Sequence, residues 1–211
     1  MPYQRIATAA IGIPAVVAVI LYLPPQAFLI CMICIVALAL HEYFTMALPR
    51  DARGERAAGI ALGCLMTLAF YNSAYDLPTG AARLLLPAAG IVIGVTALFF
   101  YTLSAGRQPR ECLERIVKTA FGIMYIAVPL SYAVAIRARD DGPLLLITLI
   151  AVTWSGDSAA YISGSMLGKR KLCPQISPGK TIEGAAGSCV AAIAASLFCA
   201  YALPFRLGPV Q

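Results

Sequence analysis

The sequence points to an all-α fold, a polytopic transmembrane helix bundle with about seven spans. Three observations carry that reading. Hydrophobic residues make up 60% of the 211 residues and charged ones 12%, against roughly 45–50% and about 25% in ordinary soluble domains. Mean hydropathy is +0.81. The apolar residues also fall in continuous runs rather than alternating every second position, so they read as helices and not as barrel strands. The same composition excludes a disordered chain, which needs low hydrophobicity and high charge.

A hydrocarbon core about 30 Å thick takes roughly 20 helical residues to cross. Seven runs approach or reach that length: Ile6–Leu23, Ala27–Leu48, Ala57–Tyr75, Leu84–Leu103, Thr119–Ile136, Pro143–Ser163 and Ala185–Pro204. The first is too long for a signal-peptide core, lacks a clear cleavage site and is followed at once by another span, so it reads as a retained anchor. The expected organisation is an N-terminal transmembrane region of about five spans over 1–140. A catalytic-type transmembrane region over 141–211 follows, with a loop at 168–184.

Seven crossings sort the loops onto two sides. One side collects Arg5, Arg50, Arg53, Arg56, Arg107, Arg110, Arg115, Lys118, Lys169, Arg170, Lys171 and Lys180. The other holds Arg83, Arg137, Arg139 and Arg206. Twelve cations against four puts the first side in the cytoplasm by the positive-inside rule. The expectation is a multi-pass protein of the cell inner (cytoplasmic) membrane with its N-terminus and loop 168–184 cytoplasmic. The net charge of +6 is thereby explained by the membrane, and no nucleic-acid partner is expected.

Small residues one turn apart let helix backbones approach closely in lipid. Three such G-x-x-x-G pairs occur, at Gly59/Gly63, Gly90/Gly94 and Gly164/Gly168. They suit a packed bundle and specify no oligomer; a homodimer is among the arrangements open to them. Seven cysteines lie mostly within apolar runs, where Cys acts as a small hydrophobe. Cys31 and Cys34 form a lone C-x-x-C without a His cluster. Helix packing is the better reading there, a zinc or redox site the lesser one.

Polar residues within spans are the informative ones, because each is costly there without a partner. Two places stand out: His41-Glu42-Tyr43 near the end of span two, and Asp157 in span six. On a helix, Asp157, Tyr161, Gly164 and Gly168 form one stripe, with a carboxylate and a phenol on a face of little bulk. One reading is a structural carboxylate paired within the bundle. The other is a metal ligand or proton acceptor beside a water-filled cavity.

The loop after it carries four cations and one acid, Glu183. Ser177-Pro178 predicts a helix start, with Ser as N-cap and Pro at the first position. Lys180 and Thr181 would then sit in its first turn, where free N–H groups, a hydroxyl and an ammonium suit a phosphate. A plain positive-inside anchor explains Lys169–Lys171 equally well. Gly179-Lys180-Thr181 is not a P-loop, because position 174 is Pro174 where that motif needs Gly. A dinucleotide G-x-G-x-x-G is absent, and the one histidine, His41, leaves no credible Ser–His–Asp set.

In order, Asp157-Ser-Ala-Ala-Tyr161, Gly164, Gly168-Lys169, Lys171-Leu172, Pro174, Ile176-Ser177-Pro178, Lys180-Thr181 and Glu183-Gly184 resemble the phosphatidate cytidylyltransferase (CDP-diacylglycerol synthase) family. Members typically carry D-T-G-A-Y-x-x-G, then G-K and K-L, then I-S-P-K-K-T-x-E-G. Weaker matches at Arg5-Ile6, Glu42 and Tyr125 extend the resemblance over almost the whole chain. Ser158, Ala159, Gly179 and Ile182 depart from the usual residues. Nothing after Gly184 matches the family's C-terminal signature, which supplies a second metal-binding carboxylate; a truncated, partial or degenerate member is expected.

The resemblance implies an integral membrane enzyme of phospholipid biosynthesis that converts phosphatidate and CTP to CDP-diacylglycerol and pyrophosphate, with Mg2+ as cofactor. It implies Asp157 as metal ligand and Asp157 and Lys180 as catalytic. Tyr161, Lys169, Lys171, Ser177, Lys180, Thr181 and Glu183 would be substrate-binding. Glu183 would orient a lysine or complete the metal shell. Alternatives are a CTP-dependent lipid kinase of the polyprenol type, a non-catalytic partner of a full-length enzyme, and an ion-coupled transporter. The transporter predicts internal repeats, which the sequence does not show.

Overall fold

A computed structural model describes residues 2–75, 81–104 and 108–203. Arg107, Arg206 and Pro204, used above, lie outside the described residues. The chain forms two compact units, Met1–Arg139 and Asp140–Gln211. Among the described residues six helices are long and apolar enough to cross a membrane, and Gly12–Tyr22 is a shorter apolar helix. The chain is a multi-pass helical membrane protein.

The first unit contains α1 (Pro2–Tyr22), α2 (Pro25–Ala47), α3 (Arg53–Tyr75), α4 (Ala81–Ser104), α5 (Pro109–Gly122), a π-helical turn (Ile123–Ala127) and α6 (Val128–Arg137). α2 begins with Pro25 in its first turn, where the missing N–H costs nothing. It buries Phe28, Met32, Val36, Leu40 and Phe44, one residue every fourth position. Val36, Leu40 and Phe44 join Leu48, Ala52, Ile123 and Ala127 in the core. The Gly59/Gly63 pair of α3 receives this stripe. A Cβ built at Gly59 would stand 2.6 Å from the Phe44 ring, and one at Gly63 would collide with Leu40.

The fifth span starts ten residues earlier than its apolar run, because Pro109–Lys118 is a polar helical entry continuous with it. Its ladder then widens: the Val128 N–H bonds back five residues to the Ile123 carbonyl. Pro129 has no N–H to continue the regular pattern, and a π turn absorbs the shift. The hydroxyl of Ser131 returns a hydrogen bond to the Ala127 carbonyl at 2.7 Å and lies 2.9 Å from that of Thr67 on α3. Both residues are fully buried.

Arg115, counted above among the loop cations, is 3% exposed. Its guanidinium meets Asp51 at 2.6 Å, Glu111 at 2.6 Å and Glu55 at 3.4 Å. Arg56 likewise turns inward and donates to the Leu48 and Pro49 carbonyls, both at 2.9 Å, closing the end of α2. These two arginines are therefore internal fasteners as well as topological signals.

The second unit contains α7 (Gly142–Leu167), strands β1 (Lys171–Cys173) and β2 (Ser177–Thr181), and α8 (Ile182–Ala202). The strands pair antiparallel, Lys171 opposite Thr181 and Cys173 opposite Ser177. This corrects the helix start expected at Ser177-Pro178. The residue before a proline favours extended backbone, and Gly179 is a poor helix former. Thr181, extended at φ −125° and ψ 157°, is the actual N-cap: its hydroxyl accepts the Gly184 N–H at 3.1 Å. Lys180 and Thr181 precede the helix rather than forming its first turn.

Removing one member of a buried ion pair leaves charge in a poorly solvating environment, a loss on the order of 3–5 kcal/mol. Arg115→Leu is expected to lower the unfolding temperature of the detergent-solubilised protein sharply. Glu111→Gln, on the exposed side of the same cluster, should lower it far less.

Candidate active site in the second unit

α7 and α8 are built to touch backbone to backbone. A Cβ at Gly184 would lie 2.9 Å from the Ala160 carbonyl oxygen and 3.3 Å from the Gly164 Cα. One at Gly156 would stand 3.2 Å from the Ser188 hydroxyl, and one at Gly187 would run into Ser163. Beside this contact a groove of about 500 Å³ opens between the two helices and the ribbon. Asp157, Tyr161, Gly164 and Ser165 come to it from α7; Leu172, Gly179, Lys180 and Thr181 from the ribbon; and Gly184, Ala185 and Ser188 from α8.

Four of the expected site residues, Asp157, Tyr161, Lys180 and Thr181, thus share one cavity. Asp157 and Lys180 are exposed to it. Asp157 stands ten residues before the end of α7, a depth of about 15 Å at 1.5 Å per residue. It has no hydrogen-bonding or ion-pair partner among the described residues. The groove therefore brings together an exposed cation, a buried hydroxyl and an exposed carboxylate.

Other expected site residues do not line it. Lys169 and Lys171 are exposed outside the groove, and Ser177 is half-buried in β2. Glu183 is already occupied. Its carboxylate accepts the backbone N–H of Lys169 at 3.1 Å and of Arg170 at 3.3 Å. The Ile182 N–H donates to the Arg170 carbonyl at 2.9 Å beside it. Glu183 thus ties the root of the ribbon to the start of α8. Sequence reasoning missed Ser165 and Ser188. Ser188 was within reach, because it follows Gly184 by four positions and so shares its helix face.

Besides the Lys180 ammonium, which has no lone pair to give a metal, the polar side chains of the lining offer oxygen: one carboxylate and the hydroxyls of Tyr161, Ser165, Thr181 and Ser188. That set suits a hard cation such as Mg2+, which is usually held by one or two carboxylates plus waters and substrate phosphates. Among the described residues no group of three His, Cys, Asp or Glu side chains converges on one point. Asp157 would be the protein ligand, with phosphate oxygens completing the shell.

A sequence profile described as the cytidylyltransferase family matches residues 3–211. The chain belongs to that family. It is similar to the phosphatidate cytidylyltransferase of Haemophilus influenzae, 28% identical over 201 residues, covering 90% of this chain and 69% of that protein. The corresponding protein of Thermotoga maritima is 26% identical over 184 residues, 87% of this chain and 62% of its own length. A shorter match to the phosphatidate cytidylyltransferase of Bacillus subtilis is 46% identical over 71 residues, 33% of this chain and 26% of the relative. The chain thus spans between about a quarter and just over two thirds of these relatives.

Two of the three glycines of the groove, Gly184 and Gly179, respond differently to a side chain. At Gly184 the nearest obstructing atom, the Ala160 carbonyl oxygen, is backbone and cannot rotate away, so Gly184→Ala is expected to destabilise the protein by roughly 1–3 kcal/mol. A Cβ at Gly179 meets nothing within 4 Å, so Gly179→Ala should stay within about 0.5 kcal/mol of the parent. Unfolding titrations of the two variants in a common detergent check the contrast.

Proposed function

We propose that this family member acts as a phosphatidate cytidylyltransferase, taking phosphatidate and CTP to CDP-diacylglycerol and pyrophosphate in phospholipid biosynthesis. The observation that carries the reading is the single groove holding Asp157, Tyr161, Lys180 and Thr181. The names of the relatives support the same reading. In the reaction an oxygen of the phosphatidate monoester attacks the α-phosphorus of CTP. A new P–O bond forms there, and the bond to the bridging oxygen of the β-phosphate breaks, releasing pyrophosphate.

Transfer at phosphorus depends mainly on positioning and on offsetting the charge of the oxygens. Lys180, exposed in the groove lining, takes the triphosphate and offsets charge on the departing pyrophosphate. The Thr181 hydroxyl, positioned by its cap on α8, keeps a proton to donate to a phosphate oxygen. Asp157 would hold a Mg2+ ion, which would supply neutralisation of phosphate charge. The Tyr161 phenol donates from the groove wall, and Ser188 extends the polar lining along α8. Ser177 and Glu183 contribute by shaping the ribbon. Lys169 and Lys171, exposed at the root of the ribbon, add positive potential to it.

The twelve-to-four distribution of cations supports insertion in the cell inner membrane with the N-terminus and residues 168–184 cytoplasmic, the side where CTP is available. A homodimer is compatible with this reading. The alternative of a CTP-dependent lipid kinase uses the same donor and differs in product.

The purified protein, incubated with labelled CTP and phosphatidate, is expected to form a nucleotide-bearing lipid. Label confined to a phosphorylated lipid, with CDP released, would establish the kinase instead. Asp157→Asn and Lys180→Gln should each lower turnover on the order of 10²–10³-fold, the cost of losing a group that stabilises transition-state charge. EDTA should abolish turnover and added Mg2+ restore it; turnover indifferent to chelation would remove the metal from the proposal.

A further inference from the structure

The ribbon carries a surface that the groove does not use. Ile176, at the turn between the strands, is 85% exposed. The turn is closed by the Ile176 N–H donating to the Cys173 carbonyl at 3.2 Å, which holds Pro174 and Gln175 outward. Lys169, Arg170 and Lys171 are exposed at its root. The one acid between Gly168 and Gly184, Glu183, is held on the backbone N–H groups of Lys169 and Arg170.

The position of this surface narrows its partner. β2 runs directly into α8, and only three residues separate β1 from the end of α7. Both helices are long and apolar enough to cross a membrane. Leu172 and Gly179 also line a groove together with Tyr161 and Ser165 of α7, so the ribbon lies beside the last turns of that helix instead of standing off as a stalk. An apolar tip flanked by cations at the end of two membrane-crossing helices matches the boundary layer of a bilayer, where apolar side chains enter the acyl region and Lys and Arg meet anionic headgroups. A soluble anionic partner would account for the cations and leave Ile176 unexplained.

We propose that the Lys171–Thr181 ribbon is a membrane-surface element, with Ile176 anchored in the interfacial layer and Lys169, Arg170 and Lys171 on the headgroups of anionic lipids. The proposal rests on the membrane-crossing helices and the ribbon's own surface, not on the reaction assigned above. Each cation biases the ribbon toward an anionic surface by roughly fivefold, equivalent to about 1 kcal/mol. The three together amount to a bias on the order of a hundredfold.

Trp154 is the one tryptophan of the chain, so the test uses the full protein carrying Trp154→Phe and Ile176→Trp. It is reconstituted in vesicles of phosphatidylcholine alone or mixed with phosphatidylglycerol, and its folding is monitored by size-exclusion elution and circular dichroism. In the mixed vesicles the tryptophan at 176 is expected to emit to the blue of its detergent spectrum. Lipids brominated near the headgroup should quench it, and aqueous iodide should not. Adding Lys169→Gln, Arg170→Gln and Lys171→Gln should return its emission and iodide quenching toward those of an exposed indole. Strong iodide quenching in both vesicle types would overturn the proposal by putting the ribbon in water. Protection equal in both vesicle types and insensitive to the charge substitutions would overturn it in favour of an apolar protein partner. None of these readouts depends on turnover, so an inactive protein with a protected tryptophan would separate this inference from the assigned reaction.

Discussion

Close backbone approach between α7 and α8 is the condition on which the groove depends. In hydrocarbon there is little solvent-driven force pressing helices together, so they associate where small residues let their main chains meet. Gly156, Gly164, Gly184 and Gly187 supply that contact. The groove beside that contact is lined by the oxygen-bearing side chains of Asp157, Tyr161, Ser165, Thr181 and Ser188 as well as by Ala160, Leu172 and Ala185. A bulky residue at position 184 would push against the Ala160 carbonyl and move the α8 start that Thr181 caps. The site is thus a consequence of where side chains are missing as much as of where they are present.

The ribbon follows from the same local chemistry. Three features hold its root: the Thr181 cap, the Glu183 carboxylate on two backbone N–H groups, and the Ile182 N–H on the Arg170 carbonyl. Together they satisfy polar backbone groups of Lys169 and Arg170 after α7 and of Ile182 and Gly184 at the start of α8, which would otherwise go unpaired near a membrane boundary. With the root held in this way, Lys180 of β2 lines the groove, and the Glu183 carboxylate sits on the main chain of Lys169 and Arg170.

The first unit solves a different problem, that of burying polar groups in an apolar bundle. Arg115 gathers Asp51, Glu55 and Glu111. Thr67 and Ser131 share a contact after each has donated to a carbonyl four residues back. The Glu111/Arg115 pair was readable as an i, i+4 spacing on α5. Its connection to α3 and to the segment before it was not, because Glu55 lies 60 positions away and only the packing of two helices brings it near.

Hydropathy and spacing were sufficient for the helical membrane fold and the rough limits of the spans, because a bilayer allows so few backbone solutions. The order of residues from Asp157 to Glu183 was also enough to connect the chain with its family and to select the stretch that forms the groove. Three things were decided only in three dimensions. One was the buried face of each helix: in a segment apolar all round, hydrophobicity does not separate the Phe28–Phe44 stripe from the lipid side. Another was the start of α8, where a strand pairing and a threonine cap prevailed over a Ser-Pro signal of similar local strength. The last was the division of labour among the polar residues of 168–184. Which of them face the groove, bind the main chain or point outward depends on a ribbon whose pairing partners no local pattern reveals.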